Sequence, residues 1–176
     1  ISGFGPDGPY AERRVYDPVI QAVTGFIATQ KTAGSGDLDL VKNLVCDKAT
    51  ALTAAQAITA ALFDTQRSGQ GQHVEVAMVD AGLAFLWPDG MWNHTLLGDD
   101  VINSLPGGFN LVFETRDGHM TAAALQDKEW EGMVRALDRP ELASDARFKT
   151  VQDRVAHSDA LLKVIADSLR TRDTEA

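Results

Sequence analysis

Residues 40–78 constrain the fold more than any other stretch of the chain. Leu40 to Val45 (LVKNLV) is a short run rich in branched residues, and His73 to Met78 (HVEVAM) alternates. Both have strand character. Between them an alanine-rich run from about Ala49 to Ser68 has the length and composition of a helix. Ala51, Leu52, Ala55, Ile58, Ala61 and Leu62 fall on one predicted packing side of it. Gly69 suits its C-terminal cap, and Gly69, Gly71 and Gln72 suit a tight structural turn. Strand, helix and strand in this order form a βαβ unit, which favours a parallel sheet with a right-handed crossover.

Asp47 stands at the junction between the first of these runs and the helix. Ligands of parallel α/β sheets bind beyond the carboxyl ends of strands, next to the following helix N-termini. A carboxylate there is stabilised in its charged form by the helix dipole. It can attack an activated acyl group or take a proton from an acidic C–H. The alternative from position alone is a helix N-cap, worth about 1 kcal/mol. Position alone favours the cap.

The remaining segments group around this unit. ISGFGPDGPY is a loop dense in Gly and Pro. It lacks the Lys-Ser/Thr ending of a phosphate-binding loop. YDPVIQAVTGFIATQ predicts a helix capped by Asp17, with Pro18 at its first position and Val19, Ala22, Val23 and Phe26 as its buried stripe. VDAGLAFLWPDGMWNHTLL predicts a helix interrupted at Pro88, and Trp87 and Trp92 are core or acyl-pocket candidates. GDDVINSLPGGFN reads as a linker, and alternation around Asp117-Gly118 predicts a hairpin. A capped amphipathic helix starts near Asp127, and further helix follows with Ser158 or Asp159 as a cap. The predicted organisation is a partial large α/β domain over residues 1–100, a linker over 101–110 and a small α+β domain over 111–176. Because Ile1 and not Met opens the chain, it reads as an internal piece of a longer protein.

Composition removes several function classes. Hydrophobic residues make up 44% of the 176 positions, enough for a packed core. A formal net charge of −9 argues against nucleic acid, which needs clustered Lys and Arg. Cys46 is the single cysteine, so there is no internal disulfide, no cysteine metal site, and a fit to the reducing cytoplasm. The four histidines are scattered without metal-ligand spacing. No run is apolar and long enough to span a bilayer.

Taken together, ISGFGPDGPY, YDPVIQAVTG, an Asp opening an Ala-rich helix, and RSGQGQHVEVAMVDA resemble the class III CoA-transferase family. FETRDGHMTAAA, DKEWEGMVRAL and DARFKTVQDR extend the resemblance nearly end to end. The family includes formyl-CoA and carnitine CoA-transferases and α-methylacyl-CoA racemase. The resemblance implies a Rossmann-like parallel-sheet large domain followed by a smaller α+β domain. It also implies an interlocked homodimer, acyl-CoA and a small carboxylic acid as substrates, and no bound prosthetic group.

By the same resemblance Asp47 matches the aspartate that attacks an acyl-CoA thioester, passing through a mixed anhydride and an aspartyl-CoA thioester. In racemase members that aspartate shares α-proton exchange with a histidine, and here the histidine's position is Tyr16. Tyrosine, with a reference pKa near ~10, is a poor proton shuttle at neutral pH, which favours transferase over racemase. Arg14 matches a basic residue near bound CoA, with a solvated loop charge as the alternative. Asp17 matches an acidic residue near the catalytic centre, with helix capping as the alternative. Pro106, Gly107 and Gly108 match a glycine-rich loop covering the active site, with an interdomain linker as the alternative. A third reading is an inactive segment that only forms a dimer.

Overall fold

The computed structural model describes residues 1–30, 38–91, 98, 111–124 and 126–175. The chain forms two compact units, Ile1–Asn103 and Ser104–Ala176.

The first unit is helical. Helix α1 spans Asp17–Thr24, and a left-handed Gly25 (φ 97°) turns the chain into the short α2, Phe26–Thr29. A residue with a side chain is strained at that φ, so the helix expected through this region breaks at the glycine. The face of α1 that packs inward is Asp17, Ile20, Gln21 and Thr24. This corrects the expected stripe: Val19 and Val23 are exposed and only Phe26 of that set is buried. Two polar residues displace two valines on the buried side because they bind the chain at the start of the helix that begins at Val45, as described below.

Helix α3 spans Val45–Ser68 and ends as expected at Gly69, left-handed at φ 73°, whose N–H bonds to Thr65 O. Its buried residues, Cys46, Ala49, Thr50 and Ala54, all lie in its first ten positions. Leu52, Ile58, Leu62 and Phe63 are exposed, so the predicted packing side is not the one this chain covers. Helix α4 spans Met78–Gly90. It runs through Pro88 instead of stopping there, because Pro88 falls in the last turn, where only the bond to Ala84 O is forfeited. Gly82 lets α4 approach closely: a Cβ there would stand 3.2 Å from Thr24 Cγ2 and 3.4 Å from Cys46 Sγ. Ile20, Phe26, Cys46 and Leu86 form the core, flanked by Phe4, Val15, Val41, Val45, Met78 and Val79.

The expected βαβ unit is absent among the described residues. Leu40–Val45 is not a strand: Asn43 N bonds back to Val41 O at 2.7 Å, a tight turn, and Val45 already belongs to α3. Of His73–Met78 only Ala77 pairs, in a single parallel bridge to Ser2, before Met78 enters α4. That bridge also has a capping function, since Ser2 O and Gly3 O accept the N–H groups of Met78 and Val79 at 2.9 and 3.1 Å.

The second unit carries the only sheet among the described residues. Strands β1 (Val112–Glu114) and β2 (His119–Thr121) pair antiparallel around Asp117-Gly118, the hairpin expected from sequence. Helix α5 spans Asp127–Ala136, with the Glu129 carboxylate accepting the N–H of Gln126. Two 3-10 turns, Pro140–Ser144 and Ala146–Phe148, lead to α6 (Val151–Ala156) and α7 (Ser158–Leu169). His157 and not Ser158 or Asp159 occupies the cap of α7. Phe113, Leu137, Ile165 and Leu169 form one apolar cluster of this unit, and Trp130, Val134, Leu142 and Phe148 another.

Candidate active site

The expected N-cap at Asp47 is not what the structure has. Leu44 takes the cap of α3, with no side-chain bond, and Asp47 is the third residue of the helix. The N–H of Val45 bonds locally to Asn43 O at 2.8 Å, and the next two N–H groups of that first turn are satisfied from another helix. Asp17 Oδ2 accepts the N–H of Cys46 at 2.8 Å and that of Asp47 at 3.0 Å. Asp17 does not cap its own helix either; it is the first residue of α1, behind Tyr16. An anionic acceptor at a helix N-terminus receives two charge-assisted bonds and faces the positive end of the dipole.

Gln21, one turn further along α1, completes this arrangement. Its Nε2 donates to Asp17 Oδ1, and also approaches Asn43 O at 3.1 Å and Val41 O at 3.3 Å. Its Oε1 accepts the N–H of Val41 at 2.9 Å. Asp17 and Gln21 are both fully buried, at 2% and 1% exposure. One carboxylate and one carboxamide thus bind the entry to α3 and its first turn.

The Asp47 side chain is exposed and has no hydrogen bond among the described residues. It is a free carboxylate on a fixed backbone at the N-terminal turn of a long helix. Its neighbour Cys46 lies in the core, on α3. Burial first, then the Asp17 charge, pushes the Cys46 thiol up to about 11. The thiol is therefore neutral and unreactive near pH 7. The chemistry available at this junction is that of the carboxylate.

The structure brings Tyr16, Asp17 and Asp47 to one place, the meeting of the α1 and α3 N-termini. Tyr16 is 78% exposed beside it. Arg14 is exposed three residues before Asp17, with no ion-pair or ring partner among the described residues, whereas Arg13 stacks over Tyr10 at 4.4 Å. Trp87 is half-exposed on α4. Pro106, Gly107, Gly108, Trp92 and the linker lie outside the described residues. Among the described residues no group of His, Cys, Asp and Glu is arranged to hold a metal ion, and no helix is long and apolar enough to cross a membrane.

Gln21 is the residue that sequence reasoning passed over. The available signal was its spacing: Asp17 and Gln21 stand four apart, the separation at which helical side chains meet. A cavity of about 620 Å³ lies elsewhere, in the second unit, lined by Asp117, Gly118, His119, Asp173, Thr174 and Glu175. Of its carboxylates, Asp117 accepts from Thr174 and Asp173 pairs with Arg116. An anionic lining would repel the phosphates of a nucleotide-like ligand.

Comparison with known proteins places this chain in a family. The chain is 32% identical over 172 residues to the succinate–glutarate CoA-transferase of Agrobacterium fabrum, covering 94% of this chain and 42% of that protein. It is 35% identical over 183 residues to the succinyl-CoA:mesaconate CoA-transferase of Haloarcula hispanica, covering 99% and 45%. The solved structure of Rv3272 from Mycobacterium tuberculosis superposes with a TM-score of 0.82 at 25% identity, covering 99% of this chain and 46% of that one. The chain thus spans a little under half the length of these relatives. The profile of CoA-transferase family III matches residues 1–176, and the chain belongs to that family.

Proposed function

We propose that the protein containing this chain is an acyl-CoA:carboxylate CoA-transferase with Asp47 as its nucleophile. The observation that carries the reading is the Asp47 carboxylate, without a hydrogen bond among the described residues, on a first helical turn two of whose N–H groups are held by Asp17, in a chain of this family. Several relatives are named for transfer between succinyl-CoA and a dicarboxylic acid. Succinyl-CoA as donor and a dicarboxylate as acceptor is accordingly the substrate class we assign.

In the proposed cycle an Asp47 oxygen adds to the thioester carbonyl, the C–S bond breaks and CoA leaves as thiolate. The thiolate then attacks the aspartyl carbonyl of the mixed anhydride, releasing the donor acid and leaving an aspartyl-CoA thioester. The acceptor carboxylate attacks that thioester, and the expelled thiolate attacks the acceptor's acyl carbon. Asp47 returns as carboxylate, with no net proton or electron change. A carboxylate suits this chemistry because both of its adducts remain reactive acyl donors. Arg14 is assigned to the CoA phosphates, Gly107 and Gly108 to a covering loop, and Asp17 to support. Tyr16, in place of an imidazole, disfavours the racemase cycle. A homodimer working in the reducing cytoplasm completes the proposal.

The test is intact mass of the full-length protein under turnover with succinyl-CoA and hydroxylamine, followed by peptide mapping. A hydroxamate on the peptide holding Asp47 supports the covalent route. Turnover with an unmodified Asp47 refutes it.

A further inference from the structure

We infer that Gln21 is a positioning residue for Asp47, acting through Asp17 and the backbone of Val41 and Asn43. This rests on the reading of Asp47 as nucleophile. A primary amide has two N–H donors and one oxygen acceptor. In Gln21 the donors face Asp17 Oδ1, Val41 O and Asn43 O, and the oxygen takes the Val41 N–H. Its nitrogen and its oxygen are both engaged, and all of their partners belong to Asp17 or to the segment entering α3.

The consequence for Asp47 follows from where its own constraints lie. Its carboxylate has no hydrogen bond among the described residues, so its position comes from its backbone. That backbone is held at one N–H by Asp17 Oδ2. The other oxygen of the same carboxylate is bound by Gln21 Nε2, and the same carboxamide also holds residues 41 and 43. Any rotation of Asp17 that loosened the Asp47 N–H would break the Gln21 contact as well. Attack on a thioester carbonyl tolerates little displacement, since an error of about 1 Å at a reacting group costs on the order of 100-fold in rate. A residue that touches neither substrate nor Asp47 thereby governs the chemical step.

The test uses the full-length protein. Gln21→Met preserves length without donors or acceptor, and Gln21→Asn keeps the carboxamide on a shorter arm. In Gln21→Met we expect kcat per folded molecule to fall by about 10- to 100-fold while the KM for succinyl-CoA stays within about twofold. We also expect faster amide exchange at Val41, Cys46 and Asp47. Gln21→Asn recovers part of both losses, and it takes over the comparison if Gln21→Met does not fold. A folded Gln21→Met with faster exchange but native kcat overturns the positioning role. Unchanged exchange at these three amides overturns the clasp itself. Failure of the nucleophile reading is separately visible, as retention of transfer by Asp47→Asn, and leaves the exchange result untouched.

Discussion

Asp17 Oδ2 lies 3.0 Å from the backbone nitrogen of Asp47, across 30 residues of sequence. One buried carboxylate therefore does for α3 what its own cap residue, Leu44, does not. Asp17→Ala would orphan the N–H groups of Cys46 and Asp47 and leave the Gln21 amide facing an empty site. Each unsatisfied buried donor costs about 1–3 kcal/mol. We expect Asp17→Ala to destabilise the full-length protein by about 3 kcal/mol in denaturant titration. Asp17→Asn, which keeps one acceptor oxygen, should lose less than half of that.

Asp47 makes the opposite prediction. Its backbone N–H is held, but its side chain is exposed and unbonded among the described residues. Asp47→Asn removes only a charge near the positive end of a helix dipole, a loss of about 0.3–1 kcal/mol. On the proposed mechanism it also removes the nucleophile, so CoA transfer should fall by about a thousandfold or more. Asp47→Asn thus separates chemistry from stability, whereas Asp17→Ala costs both, because Asp17 holds the Asp47 N–H. Asp17→Ala lowers the unfolding midpoint, whereas Asp47→Asn lowers kcat at a nearly native midpoint.

What the sequence made legible was mostly local. Gly69 announces a left-handed helix end, Asp117-Gly118 a hairpin and Asp127 a helix start, because each depends on neighbours within a few residues. What it hid was decided by long-range polar contacts. Val19 and Val23 look like the core face of α1 until Asp17 and Gln21 are seen binding a segment some 20 to 30 residues away. Leu40–Val45 has strand composition, yet its backbone groups are taken by a glutamine side chain and a tight turn. That Asp47 stands near the start of a long helix could be read from the sequence, but the groups that hold its backbone could not.

The Cys46 thiol gives a pH prediction with a definite sign. Its pKa is raised from 9.0 to about 11, by burial above all. Between those values the unfolded chain releases a proton that the folded chain keeps, so stability falls as pH rises. The contribution is fully present below pH 9 and lost as pH climbs through about 11. Compared with Cys46→Ala, the native protein should lose on the order of 2 kcal/mol more between pH 8.5 and about 10.5. Iodoacetamide should leave Cys46 unmodified in the native state at pH 7.5 and alkylate it in denaturant.

In the second unit Arg154 is 3% exposed. Its Nη1 donates to Phe148 O at 3.0 Å, its Nη2 to Asp127 Oδ1 at 2.7 Å, and its guanidinium lies 5.8 Å from the Trp130 ring centroid. This one cation joins the last 3-10 turn to the first turn of α5. Its partner is far more accessible, because the Asp127 side chain is 61% exposed. Removing the two members of the pair is therefore unequal. Arg154→Ala empties a buried site and frees Phe148 O, and should cost about 3 kcal/mol. Asp127→Asn leaves a residue that water already reaches and keeps an oxygen acceptor for the guanidinium. It should cost under about 1 kcal/mol, in the range of exposed ion pairs. Equal losses in urea titrations of the two variants would mean that Arg154 acts through its charge partner and not through the backbone and ring it packs against.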